Sequence, residues 1–102
     1  MLTILFYLTG KPDAEPRLRE LLTKMTQVSR GHEGCISYTF HQQHDDPRQW
    51  MLLEQWRDRG ALDAHISDMK VQFGDPPEGA RLPARLHELA ESHRAVFYKA
   101  LA

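Results

Sequence analysis

Two runs rich in aromatic and branched side chains, residues 35–40 (CISYTF) and 50–56 (WMLLEQW), flank a polar stretch containing Asp45, Asp46 and Pro47. Such side chains suit a pleated, partly buried surface and Asp-Asp-Pro suits a turn, so the pair predicts an antiparallel β-hairpin. A hairpin with apolar residues on both faces is marginal alone and has to be covered above and below. In its second strand Glu54 and Trp56 stand two apart and share a face, and His65 falls about two turns into the helix that follows.

The flanking segments supply the cover. Thr3 to Thr9 (TILFYLT) reads as a strand ended by Gly10-Lys11-Pro12, apolar on both alternating faces. Asp13 is placed as the N-cap of a first helix, with Pro16 in its opening turn and Gly31 as its stop. Leu18, Leu21, Leu22, Met25 and Val28 recur at helical spacing, and Arg17, Arg19, Glu20, Lys24 and Gln27 point to water. A second helix is expected from about Arg59 to Phe73, capped by Asp58 and ended by Gly74, with Leu62, Ile66, Met69 and Phe73 as its buried stripe. Two adjacent prolines and two glycines make residues 74–83 (GDPPEGARLP) a loop. Pro83 then opens a short helix carrying Leu86, Leu89 and Ala90, and Arg94 to Leu101 is the last strand.

Strand, helix, strand, strand, helix, short helix, strand is the α+β, ferredoxin-like βαββαβ order, a four-stranded antiparallel sheet with helices on one face. With 102 residues the chain is expected to form one domain, spanning 1–102. Ile36, Tyr38 and Phe40 are assigned to one face of their strand, and Cys35, Ser37 and Thr39 to the other. The helix-free face is too apolar for water, and a homodimer packing sheet on sheet is the expected remedy.

Composition narrows the partners. Thirteen Lys and Arg against 14 Asp and Glu give a net charge of −1, without the basic field that draws a protein to nucleic acid or an anionic membrane. The most apolar run, LTILFYLTG, falls far short of a membrane span, and a cytoplasmic location is expected. The lone Cys35 is read as a small buried side chain rather than a nucleophile.

Glu33-Gly34-Cys35, Tyr38, Asp46-Pro47 and Glu54-Gln55-Trp56, followed by Ala61-Leu62-Asp63-Ala64-His65, resemble in order and spacing the antibiotic biosynthesis monooxygenase (ABM) domain family. The resemblance runs from Thr3 to about Asp68; the proline-rich segment 74–83 departs from it. It implies a dimeric α/β barrel and a small-molecule activity. Members of this kind act on quinols, anthrones and related aromatic polyketides without metal or flavin, while relatives degrade haem, isomerise lactones or process small signalling sugars.

Oxygenation without a cofactor needs a substrate whose anion can give an electron to dioxygen, so the protein has to remove a proton, stabilise an oxyanion and exclude water. A neutral histidine is a suitable base. His65 and Trp56 are therefore the candidate catalytic pair, with Tyr7, Tyr38, Glu54 and Met69 as candidate substrate-binding residues around an aromatic pocket. Each has a structural alternative: Trp56, Tyr7 and Tyr38 as packing, Glu54 as an ion-pair or backbone partner, His65 as a buried histidine held by Glu54 or a carbonyl.

His41 and His44 lack the neighbouring ligands of a metal site, no dinucleotide motif is present, and neither metal nor cofactor is expected. His32, His87 and His93 are read as exposed. The sequence thus predicts a homodimeric, cofactor-independent monooxygenase for a small phenolic, quinol or anthrone substrate and dioxygen. The alternatives are an isomerase or haem-degrading relative, or a small-ligand-binding dimer without turnover.

Overall fold

The computed structural model describes residues 1–101 and has the order β1 (Leu2–Gly10), α1 (Glu15–Arg30), β2 (Cys35–Gln42), β3 (Gln49–Trp56), α2 (Arg59–Phe73), α3 (Ala84–Leu89) and β4 (Ala90–Lys99). The strands form one antiparallel sheet in the order β2-β3-β1-β4, and the helices lie on one face. This is the βαββαβ arrangement expected from the sequence.

Strand register decides which side chains share a row. Tyr38 pairs with Glu54, Glu54 with Ile4 and Ile4 with Phe97, a row that crosses the whole sheet on its helix side. The next row on that side is Phe40, Leu52, Phe6 and Ala95. Leu18, Leu21, Leu22 and Met25 of α1 and Leu62, Met69 and Phe73 of α2 close over these rows as the core. The opposite face carries Leu5, Tyr7, Met51, Leu53 and Val96, all half-buried and under no helix.

Local structure departs from the expectations at five places. Asp13 does not cap α1: it takes a left-handed φ of 64°, and Ala14 stands at the cap without a side-chain hydrogen bond. The chain reverses there between β1 and α1, closed by Ala14 N–H donating to the Lys11 carbonyl at 3.1 Å. In β2 a bulge between Cys35 and Ser37 leaves Ile36 without a partner and 54% exposed, while Cys35 aligns with Trp56 and packs on the core. Their faces are therefore exchanged relative to strict alternation.

On α2, Ile66 is 39% exposed, and Ala61 and His65 complete the buried stripe with Leu62, Met69 and Phe73. The helix seats itself along 61, 65, 69 and 73, a four-residue repeat that turns Ile66 towards the edge of the contact. Strand β4 begins at Ala90, directly after α3, because the β1 edge from Leu2 to Gly10 pairs with it along its length; Leu101 lies outside the strand and is exposed. His32, finally, is only 19% exposed.

Gly34 fixes the entry to β2. Its φ of +83° is left-handed, and a Cβ there would meet the Cβ of Ala61 at 2.5 Å. Only glycine allows the 31–34 turn to lie so close to α2.

Candidate active site

A cavity of about 210 Å³ opens between the helix side of the sheet and α2, its floor formed by the two rows described above and its roof by Leu62, His65 and Met69. Leu82, Pro83 and Leu86 close one end, so the 74–83 loop and α3 serve as a wall of the cavity. Almost all of this surface is apolar. Glu54, Tyr38 and His65 bring acid-base groups to it, and Lys70 and Arg81 stand around it.

Glu54 is 8% exposed, and its Oε1 accepts the indole N–H of Trp56 at 2.7 Å. Burial raises its carboxyl above the usual range, and the Trp56 N–H partly offsets that rise. Burial also raises the Tyr38 phenol, reinforced by the Glu54 charge, while the Ser29 hydroxyl beside it acts the other way. His65 is shifted in the opposite sense, down to about 4, first by burial and then by His32, against the smaller upward pull of Asp68. A neutral imidazole and a carboxyl held towards its protonated form thus face one apolar cavity, the kind of divergence that separates base from acid.

His65 is packed on two sides, its ring centroid 4.3 Å from that of Trp56 and 5.6 Å from that of Tyr38. Its Nδ1 lies 2.9 Å from Nδ1 of His32. His32 in turn places Nε2 2.6 Å from Asp68 Oδ2, and Gln72 donates to the same oxygen at 2.6 Å.

Of the six candidate residues, His65, Glu54, Tyr38 and Met69 line the cavity together. Trp56 does not. It is wholly buried, stacked behind His65 and bonded to Glu54, so it shapes the site without reaching a ligand. Tyr7 lies on the other face of the sheet, under the guanidinium of Arg94 at 4.8 Å, because odd-numbered residues of β1 point away from the helices. Cys35 is half-buried, and desolvation raises its thiol, which agrees with a packing role.

His32 and Asp68 were missed by the sequence reading. One signal was present: Asp68 stands three residues after His65 and four before Gln72, so all three share a helix face. Nothing local indicated that the 31–34 turn would bring His32 to that face.

The family model for antibiotic biosynthesis monooxygenase matches residues 1–71. An uncharacterized protein of Synechocystis is 36% identical over 56 residues, covering 55% of this chain and 38% of the relative. The Mycobacterium tuberculosis protein Rv0793, whose name assigns it provisionally to the monooxygenases, is 40% identical over 55 residues, covering 54% of each chain. These matches therefore span about half, or less, of the curated relatives' lengths. Among solved structures, PA3566 from Pseudomonas aeruginosa superposes with a TM-score of 0.80 at 26% identity, covering 99% of this chain and 94% of that one. The structure of Rv0793 gives 0.78 at 26% identity, covering 99% and 95%. Sheet order, helix placement and a sequence match extending from residue 1 to 71 agree, and the chain belongs to the antibiotic biosynthesis monooxygenase family.

Proposed function

We propose that this chain is a cofactor-independent monooxygenase for a small phenolic, quinol or anthrone-like substrate, with His65 as the base. The observation that carries the reading is the juxtaposition of a buried, neutral imidazole with an apolar cavity that also holds Glu54 and Tyr38. Apolar walls suit a flat aromatic ring and exclude water from the anion it forms. His65 takes the acidic proton of the substrate. The resulting anion supplies the electrons for dioxygen, one oxygen atom remaining in the product and the other leaving as water. Glu54, protonated more readily than an ordinary carboxyl, and the Tyr38 phenol are donors for the developing oxyanion. Trp56 acts through others, holding the Glu54 carboxyl through Oε1 and backing the His65 ring.

The same reading includes a homodimer. Leu5, Met51, Leu53 and Val96 form an apolar centre on the helix-free face, and a second copy is the cover that matches it.

The test is an oxygen-uptake screen over quinols and anthrones with metal-free protein, run beside a haem-binding absorbance titration. Uptake with one oxygen atom of labelled dioxygen appearing in the product supports the reading. Tight haem binding without uptake favours a haem-degrading relative, and saturable binding of an aromatic ligand that is returned unaltered favours a binding module.

A further inference from the structure

We propose that His65, His32 and Asp68 form a proton wire that carries the substrate's proton out of the cavity and places the resulting positive charge on His32 rather than on His65. This rests on the reading of His65 as the base. His65 offers Nδ1 to Nδ1 of His32 at 2.9 Å, His32 offers Nε2 to Asp68 Oδ2 at 2.6 Å, and Gln72 fixes that oxygen from the other side. Exposure rises along the series, from 6% for the His65 residue to 19% and 38% for the side chains of His32 and Asp68.

The hydrogens on this chain follow from its acceptor. Asp68 is held below the usual carboxylate range, first by His32 and then by Gln72, and is ionised near neutrality. A carboxylate only accepts, so His32 Nε2 carries a hydrogen. In a neutral His32 the facing Nδ1 is then a lone pair, and it needs a hydrogen from Nδ1 of His65. That leaves the lone pair of His65 on Nε2. This atom makes no hydrogen bond among the described residues, where only Trp50 Nε1 is both sealed and unpartnered, so His65 Nε2 keeps accessible surface on a residue that lines the cavity. The network therefore selects the tautomer a base requires.

Transfer then balances without ring rotation. The substrate's proton bonds to His65 Nε2 as the Nδ1 proton of His65 passes to His32 Nδ1. His65 ends neutral in its other tautomer, His32 ends as an imidazolium against the Asp68 carboxylate, and the substrate ends as its anion. Burial explains why the charge moves on: the apolar site pushes the His65 imidazole down to about 4, whereas His32 meets both a carboxylate and solvent. The titratable and charged groups that line the same cavity are Glu54 and Tyr38 from the sheet with Lys70 and Arg81, and Asp68 stands on the same helix as His65.

Nitrogen-15 NMR of histidine-labelled protein tests the wire without any substrate. Near pH 8, His65 should be the Nδ1–H tautomer and His32 the Nε2–H tautomer. As the pH falls, His65 should switch from Nδ1–H to Nε2–H while staying neutral. In Asp68→Asn, which keeps an acceptor but removes the charge, this switch should move to lower pH; in His32→Leu it should vanish. An Nε2–H tautomer for His65 at high pH, or His65 becoming an imidazolium with no neutral Nε2–H stage before it, overturns the proposal. Where turnover is measurable, Asp68→Asn and His32→Leu should lower kcat by roughly 10- to 10²-fold with KM unchanged, since neither residue touches substrate. Unchanged kcat in both variants overturns the wire even if His65→Ala is inactive. An inactive protein whose His65 tautomer switches as described overturns the monooxygenase reading and not the wire.

Discussion

The indole of Trp56 and the imidazole of His65 lie 4.3 Å apart between ring centroids with their planes tilted by 33°. The larger ring is fully buried while the smaller one reaches the cavity, so a core residue sets the position of a cavity-lining one. The indole N–H continues the arrangement by holding Glu54.

Replacing His65 should therefore affect both activity and stability. His65→Ala is expected to lower turnover per folded molecule by roughly 10²-fold or more, the scale of a lost general base. It should also cost about 1–3 kcal/mol, because a ring packed against Trp56 and Tyr38 is removed and His32 loses its partner. Oxygen uptake and urea unfolding on the same preparation measure the two effects; full activity with unchanged stability would place this histidine outside the site.

Trp56→Phe keeps the stacking surface and deletes the N–H that Glu54 Oε1 accepts at 2.7 Å. A buried carboxyl left without its donor should cost about 1–3 kcal/mol. The Glu54 pKa should rise further, since that N–H is what opposes the effect of burial. Carboxyl carbon-13 NMR through a pH titration measures the shift, and a lower or unchanged Glu54 pKa in the variant would contradict it.

The pH dependence of stability has a definite sign for His65. Its folded value of about 4 lies below the ordinary 6.5, so between these values the unfolded chain binds more protons, and stability falls as pH drops through that window. Above pH 6.5 the contribution is constant. Glu54, raised rather than lowered, acts in the opposite direction and is common to wild type and to His65→Ala. The stability difference between the two proteins should accordingly shrink from pH 7.5 to pH 5, as followed by urea unfolding. A difference that grows on acidification would mean that His65 is charged in the folded state.

The helix-free face should hold a second copy. Leu53 lies near its centre, paired with Leu5 and Thr39 on neighbouring strands, and Leu53→Arg puts a charge into that apolar patch. Sedimentation should show a dimer for wild type at micromolar concentration and a monomer of lower thermal stability for the variant. A folded wild-type monomer of full stability would remove the reason for pairing.

Gly34→Ala tests the turn that carries His32. The left-handed φ and the 2.5 Å approach of a Cβ to Ala61 leave no room, so the variant should lose more than about 1 kcal/mol. The 31–34 turn should also move away from α2, which separates His32 from His65. Loss of the tautomer preference at His65, seen by nitrogen-15 NMR, would report that separation.

What the sequence by itself determined is the part written in nearest-neighbour chemistry. Aromatic and branched runs placed the hairpin, the 3.6-residue spacing from Leu18 to Met25 placed α1, and Asp58 and Gly74 bounded α2 at Arg59–Phe73. His65 and Glu54 were also legible, because a helix stripe and a strand face each direct a side chain inward. Only the tertiary structure decided which buried groups meet. The register of three strands lined up Tyr38, Glu54 and Ile4, one bulge exchanged Cys35 with Ile36, and strand parity sent Tyr7 to the far face. His32 joined Asp68 across 36 positions of sequence through a turn that only Gly34 permits. Local propensity acts over a few residues, whereas these contacts are fixed by how a helix and a sheet fill the space between them, which no short stretch of the chain encodes alone.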